Sequence, residues 1–320
     1  MKTRIAVAAV AIAAVASMPA FAGVTREVQA QRNGGRPDEV GHINELAPQG
    51  NGFANENHAQ GQAKPGGGGG GSNGIFYHNG PVMTGTTTMY YIWYGNGTWG
   101  SNGTSEVSIL ENLANNLGGS PYYNINTTYY NGSNVHVANS VAFGGSTRVT
   151  NYLGNNLSDA NIQTIVADAI AGGLPKSTSA VYFVLTSSDV NASSGFCTQY
   201  CGWHTHGTIG GSDIKYSFIG DPTRCPSSCS QQVPGPNGST GADGMASIIA
   251  HELEEATSDP DLNAWYDRRG YENADKCAWT WGATSTATNG AIYNMTLGGT
   301  KYLIQQNWVN ASGGFCAKSF

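Results

Sequence analysis

Apolar positions along the chain change period several times, and the changes mark out its elements. Met89–Tyr94 is an unbroken aromatic and β-branched run, which reads as a buried strand. From Ser105 to Leu117, Val107, Leu110, Leu113, Ala114 and Leu117 recur at helical spacing. Tyr122–Tyr130 and Val135–Phe143 alternate, and both read as strands. Ser158 stands where a helix cap belongs, ahead of Ile162, Ile165, Val166 and Ile170. Ala180–Leu185 is an apolar strand and Tyr216–Ile219 a shorter one. Asp243 can cap a helix running to about Ser258, with Met245, Ile249, Leu253 and Ala256 as its core-facing stripe. Pro260 stops that helix, and the chain after Cys277 reads as hairpins and loops. Helices and strands alternate irregularly, so the predicted class is α+β with a mixed sheet.

Residues 1–22 read as an export signal. Lys2 and Arg4 precede the apolar run Ile5–Ser17, and Ala20-Phe21-Ala22 is a small-x-small cleavage site. The run is too short to span a bilayer, so no membrane span is expected. Residues 23–74 are rich in Gly, Asn and Gln, and include the run Gly66–Gly71. They cannot bury enough apolar surface to offset their ordering entropy, and read as a disordered linker or propeptide. Residues 75–320 have the length and apolar content of one globular domain.

Composition narrows the function. Removing Lys2 and Arg4 takes the formal charge from -6 to -8. A mildly acidic chain with sparse Lys and Arg lacks the basic patch that nucleic-acid binding needs. Six cysteines, all after residue 190, fit an oxidising compartment. The chain is therefore expected to be secreted or periplasmic. Cys197/Cys201 and Cys225/Cys229 form two C-x3-C pairs, so two local bridges plus Cys277–Cys316 are the preferred pairing among 15 connectivities. A structural zinc site on the four clustered cysteines is the rival.

His251-Glu252-Leu253-Glu254-Glu255 carries the most chemistry. It has the form of the His-Glu-x-x-His helix of zinc hydrolases, with glutamate in place of the second histidine. His251 and Glu255, four apart, project from one flank and can grip one ion. Glu252 can hold a metal-bound water as general base. Glu272, Asp275, Asp259 and Asp261 are candidate third ligands. On a strand, His204 and His206 share a face and are accessory candidates. One histidine with two carboxylates suits zinc and also admits manganese, calcium or iron. The expectation is a zincin-like, metal-dependent hydrolase acting on a peptide or wall-associated bond. Against it stands the plain reading of His and Glu on the solvated face of an amphipathic helix. On that reading the chain is a non-catalytic protein that binds wall polysaccharide through Tyr and Trp.

Taken in order, many segments resemble the EXORDIUM, or phosphate-induced protein 1, family of secreted proteins. They include Tyr77-His78-Asn79-Gly80-Pro81-Val82, Trp93-Tyr94-Gly95, Gly195-Phe196-Cys197, Cys201-Gly202 with His204, and Cys225-Pro226. Pro236-Asn237-Gly238, Asp243-Gly244-Met245, Ala250-His251-Glu252-Leu253 with Glu255, Asn263-Ala264-Trp265-Tyr266, Glu272, and Ala274-Asp275 with Cys277 continue the series. The resemblance implies an extracellular protein associated with growth responses, without a settled reaction. It puts His204, His251, Glu252, Glu255, Glu272 and Asp275 on matching positions. The chain departs from the pattern at Ser230-Gln231-Gln232-Val233, where the family carries an aromatic stretch.

Overall fold

A computed structural model describes residues 44–46, 74–97, 106–268 and 270–320. Its centre is a six-stranded sheet of β1 (Asn44–Leu46), β2 (Thr87–Tyr94), β3 (Val141–Val149), β4 (Ala180–Thr186), β5 (Gly202–Ile209) and β6 (Ser212–Ile219). Across the sheet the order is β1-β5-β6-β4-β2-β3. β3, β2, β4 and β6 run parallel, while β5 is antiparallel to both β6 and β1. Seven of the eight residues of β2 are buried, and so is all of β4. Those strands lack polar/apolar alternation because both of their faces are covered.

Three helices do the covering: α1 (Glu106–Leu117), α2 (Asp159–Ala171) and α3 (Thr240–Ser258). The chain steps from β2 to β3 on one side, then back past β2 to β4. Right-handed crossovers in opposite directions put α1 and α2 on opposite faces. The side chains agree. Tyr91 on β2 donates to Leu110 O of α1, whereas Tyr182 on β4 reaches Pro175 O just beyond α2. Pairing then carries the α1 face across the sheet through Tyr91–Phe183, Phe183–Ser217 and Ser217–His204. His204 is thereby aimed at α3, which packs beside α1 on that face.

The α+β class, the mixed sheet and the disulfide bracing are as expected from the sequence. Ser158 caps α2 in a reciprocal capping box with Asn161. Four other readings change. Tyr123–Thr128 is a 3-10 helix, not a strand, because Ser120, Thr127 and Thr128 hydroxyls bond local backbone groups and compete with a ladder. Asn131 and Asn134 turn the chain next, leaving a single Tyr130–His136 bridge, and the central sheet is joined only at Val141. α3 is capped by Ser239, whose Oγ accepts from Ala242 N at 3.1 Å. Asp243 lies within the first turn and accepts from Asn237 N and Ser239 N. The early start was masked by Gly241, where a Cβ would stand 2.6 Å from Glu106 Oε1.

The fourth change is the cysteine pairing. Cys277 joins Cys316 as expected, but Cys197 joins Cys225 and Cys201 joins Cys229. Cys225 heads the short helix Pro226–Cys229, so x3 spacing is one helical turn and stacks the two sulfurs along it. The Cys197–Cys201 turn lies alongside. Both bridges therefore run between the segments, with Cα separations of 5.8 and 5.4 Å that suit a disulfide. The rival zinc site on these four cysteines is excluded by the same pairing.

β1 falls inside the stretch expected to be linker or propeptide, and adds to the free edge of β5 through Asn44–His204, Glu45–Trp203 and Leu46–Gly202. Signal residues 1–22, the Gly66–Gly71 run and the rest of 23–73 lie outside the described residues. Among those described, no helix is long and apolar enough to cross a membrane. The last forty residues form short two-stranded ribbons, as expected.

Gly202 sets the distance between β5 and α3. A Cβ there would lie 2.4 Å from Ile248 Cγ2 and 3.0 Å from Phe218 O. Gly202→Ala should cost about 1–3 kcal/mol through overpacking, measured by denaturant unfolding. A neutral effect would mean that the helix does not press on this strand. Peptide mapping of a non-reduced digest should recover Cys197 linked to Cys225, and local Cys197–Cys201 pairs would refute the pairing.

Candidate metal centre

α3 has no solvated side. Every residue from Gly241 to Ser258 is buried, which removes the plain reading of the motif as a surface face. The sheet covers one side, while Glu272–Cys277 and the strand around Trp308 close the other. Glu252 and Glu255 are thus carried inward by a helix whose Met, Ile and Leu residues already fill the core.

Three segments deliver the ionisable groups. α3 supplies His251, Glu252 and Glu255; β5 supplies His204; the turn after Tyr271 supplies Glu272 and Asp275. His251 Nε2 lies 2.9 Å from Glu255 Oε1 and 3.5 Å from Asp275 Oδ1. His204 Nδ1 lies 3.5 Å from Glu252 Oε2 and 3.6 Å from Glu255 Oε2, and its Nε2 is 3.9 Å from Glu272 Oε2. Backbone hydrogen bonds hold the turn in place. Glu255 Oε1 accepts from Asp275 N at 3.0 Å, and Asp275 Oδ2 accepts from Glu272 N at 3.2 Å. Two triplets, His204/Glu255/Glu272 and His251/Glu252/Glu255, each bring ligand atoms within 4.8 Å of one another.

Burial without full pairing makes this cluster electrostatically tense. Neither oxygen of Glu252 accepts a hydrogen bond, nor does His204 Nδ1 or His251 Nε2 engage in one of good geometry. Burial pushes Glu252 up to about 7, against the pull of both histidines. Burial and repulsion from Glu255 raise Asp275 to about 6. Glu255 goes the other way, to about 2, because His251 and His204 outweigh its burial. Burial alone would lower His204, but Glu252 and Glu255 raise it to about 10, and His251 is raised well above its ordinary value by Glu255 and Asp275.

The remaining candidates lie elsewhere. Asp259 ends α3, and its Oδ1 accepts from Asn263 N and Ala264 N, both at 2.6 Å, so it braces the turn. Its backbone oxygen, not its carboxyl, faces His204 Nε2 at 3.4 Å. Asp261 and His206 meet in a separate, partly exposed cluster with Asp213, into which Lys215 inserts its ammonium 2.6 Å from Asp261. His204 and His206 share a face as expected, yet stand in different clusters. Lys215 already supplies the outer one with its cation.

Sequence reasoning missed a second tier. The side-chain amide of Gln305 lies against His251 Nδ1. Further round α3, Glu254 Oε2 accepts from Asn307 at 2.7 Å, while Asn126 and Asn273 donate to its backbone oxygen. Burial raises Glu254 well above the ordinary carboxyl range, so it holds its proton. The available signal was polarity in the wrong place: Gln305, Gln306 and Asn307 interrupt an otherwise apolar run from Tyr302 to Val309.

These shifts give the metal-free protein a pH dependence. Glu252, Asp275 and Asp259, all raised to about 6–7, keep protons in the folded state that the unfolded chain has already released. Stability therefore falls as pH rises through that window. The stabilisation from His204 is complete below 6.5 and is lost as pH rises through about 10. Glu255 contributes above about 4.5 and loses its contribution as pH falls through about 2. Chelator-treated protein should melt progressively lower at pH 5, 7 and 9, by several degrees overall. A melting temperature that rises across that series would contradict the arrangement.

Comparison with known proteins accords with the motif order. The phosphate-induced protein 1 conserved region matches residues 75–317. Protein EXORDIUM-like 3 of Arabidopsis thaliana is 30% identical over 273 aligned positions, covering 72% of this chain and 79% of that protein. Protein EXORDIUM-like 5 of the same plant is 31% identical, covering 72% of this chain and 74% of its own. Protein PHOSPHATE-INDUCED 1 of Nicotiana tabacum is 26% identical, covering 71% and 83%. No solved structure matches the chain, so the zincin-like part of the expected fold rests on the helix motif alone. With the conserved region spanning three quarters of its length, the chain belongs to the phosphate-induced protein 1 family, which includes the EXORDIUM proteins.

Proposed function

We propose that this is an exported protein whose buried His/carboxylate cluster is completed by a divalent metal, and that the metal braces the fold of a binding protein. The observation that carries the reading is the burial itself: His204, His251, Glu252 and Glu255 have no accessible surface, and Glu272 and Asp275 almost none. Structural metal sites are closed, whereas catalytic ones keep a position open to water and substrate. Four carboxylates and two imidazoles in a dry interior are costly unless charge and hydrogen bonds are satisfied, and a cation with directional bonds does both. Mixed nitrogen and oxygen donors favour zinc or manganese over calcium, which takes oxygen ligands. Three disulfides and a polar, Tyr-rich chain suit life outside the cytoplasm, where a wall or matrix glycan is the natural ligand class.

One observation favours hydrolysis instead. Glu252 stands beside His251 with both oxygens free of hydrogen bonds and a value near 7, as a general base at neutral pH requires. On that reading the site is a metal-dependent hydrolase of the zincin type that opens to admit a peptide.

Metal analysis of protein purified without chelator tests the proposal. Bound zinc or manganese should be found, His251→Ala should lose it, and chelation should lower the melting temperature. Absence of metal in the wild type would end both readings. Retention on insoluble polysaccharide that survives Glu252→Gln favours the brace, whereas metal-dependent peptide cleavage abolished by that substitution favours the enzyme. Gln305→Leu should weaken metal affinity about 10–100-fold, because it removes the partner of the ligand's other ring nitrogen. Unchanged affinity would detach Gln305 from the site.

A further inference from the structure

Glu255 stands between two histidines, and each of its oxygens faces a different one. Oε1 is 2.9 Å from His251 Nε2, and Oε2 is 3.6 Å from His204 Nδ1. Separations near 3 to 3.5 Å are the edges of a coordination shell whose bonds are about 2.0–2.2 Å long. The two triplets of converging ligand atoms, His251/Glu252/Glu255 and His204/Glu255/Glu272, have Glu255 as their single common member. We infer that the cluster binds two divalent transition-metal ions, with Glu255 bridging them through its two carboxylate oxygens. One ion sits on His251, Glu252 and Glu255, with Asp275 beside it. The other sits on His204, Glu255 and Glu272. This inference rests on the metal-binding reading above and fixes its stoichiometry.

Charge balance points the same way. Glu252, Glu255, Glu272 and Asp275 face the two rings, and together bring four negative charges into a dry interior. Two divalent ions on neutral imidazoles cancel them. One ion on one histidine, with the other imidazole protonated, balances the cluster only if one of the four carboxyls also keeps its proton and gives up an oxygen as a ligand. Lys276 and Asp267 neutralise each other at 3.3 Å, and Glu254 turns away to Asn307. The buried Asp259 carboxyl, turned to the backbone N–H groups of Asn263 and Ala264, is a further acid outside both triplets.

Beyond the carboxylates, two buried imidazoles aim ring nitrogens into the cluster. His204 Nδ1 and His251 Nε2 stand within ion-pair range of Glu255 but make no hydrogen bond of good geometry, and neither do the Glu252 oxygens. His204 Nδ1 faces Oε2 of Glu255 and His251 Nε2 faces its Oε1, and no triplet of converging ligand atoms among the described residues holds both histidines. A single ion would engage one histidine and leave the other group's atoms unsatisfied. Two ions about 3.5–4 Å apart, the usual spacing of carboxylate-bridged pairs, engage them all.

The test is metal content per chain for the full-length protein, purified without chelator and then dialysed against zinc or manganese. The wild type should hold about two ions, Glu272→Gln about one, and Glu255→Gln none that survives dialysis. In the manganese form, electron paramagnetic resonance should show an exchange-coupled pair in the wild type and an isolated ion in Glu272→Gln. One uncoupled ion in the wild type would overturn the two-ion inference while leaving the metal reading standing. No ion at all would overturn both. Because Glu255→Gln can disturb folding, Glu272→Gln decides independently: if it retains two coupled ions, Glu272 is not a ligand and the inference fails.

Discussion

The structure depends on putting a carboxylate-bearing helix where no water reaches it. α3 lies in the core with sheet on one side and loops on the other, and its polar residues point into protein whichever way they turn. Every neighbouring choice answers that constraint. Gly202 lets β5 come close, His204 and His251 oppose Glu252 and Glu255, and backbone N–H groups of the 272–275 turn cap the carboxylates. Further round the helix, three asparagines surround Glu254. A buried, incompletely paired cluster of this kind is unfavourable by itself, and its persistence in the fold is the physical reason to look for a cation.

The sheet explains why these groups meet at all. Residues 204, 217, 183 and 91 share one face through register, although they come from four strands. That face receives α1 and α3, and the opposite face receives α2. Two mutually reversed crossovers produce this arrangement without any contribution from the site. The chemistry is then assembled at one end of an architecture that buries its central strands on both sides.

Much of this was legible from residues alone. Period and caps located α1, α2, β2 and β4 because each answers to local rules, as Ser158 with Asn161 illustrates. His251, Glu255, Asp275 and His204 were legible as chemistry because side chains of those types are costly without a purpose. What stayed hidden was long-range. Nothing in the spacing of Cys197 and Cys201 distinguishes a local bridge from a ladder to Cys225 and Cys229. An amphipathic pattern on α3 cannot reveal that loops bury its polar side as well. Asp261 and Asp275 stood as equal candidates for the third ligand, yet past Pro260 Asp261 lies against Lys215. Tyr122–Tyr130 carries an alternating pattern, but Thr127 and Thr128 bond backbone oxygens three residues back, while Asn124 and Asn126 reach Phe320 and Glu254.

The Cys201–Cys229 bridge closes one residue before Gly202, and so pins the start of the strand that carries His204. Its consequence is geometric. Register along β5 comes from its eight pairs with β6, and the bridge ties the same strand to the short helix Pro226–Cys229. His204, three residues past Cys201, is therefore held both by a ladder and by a covalent tether.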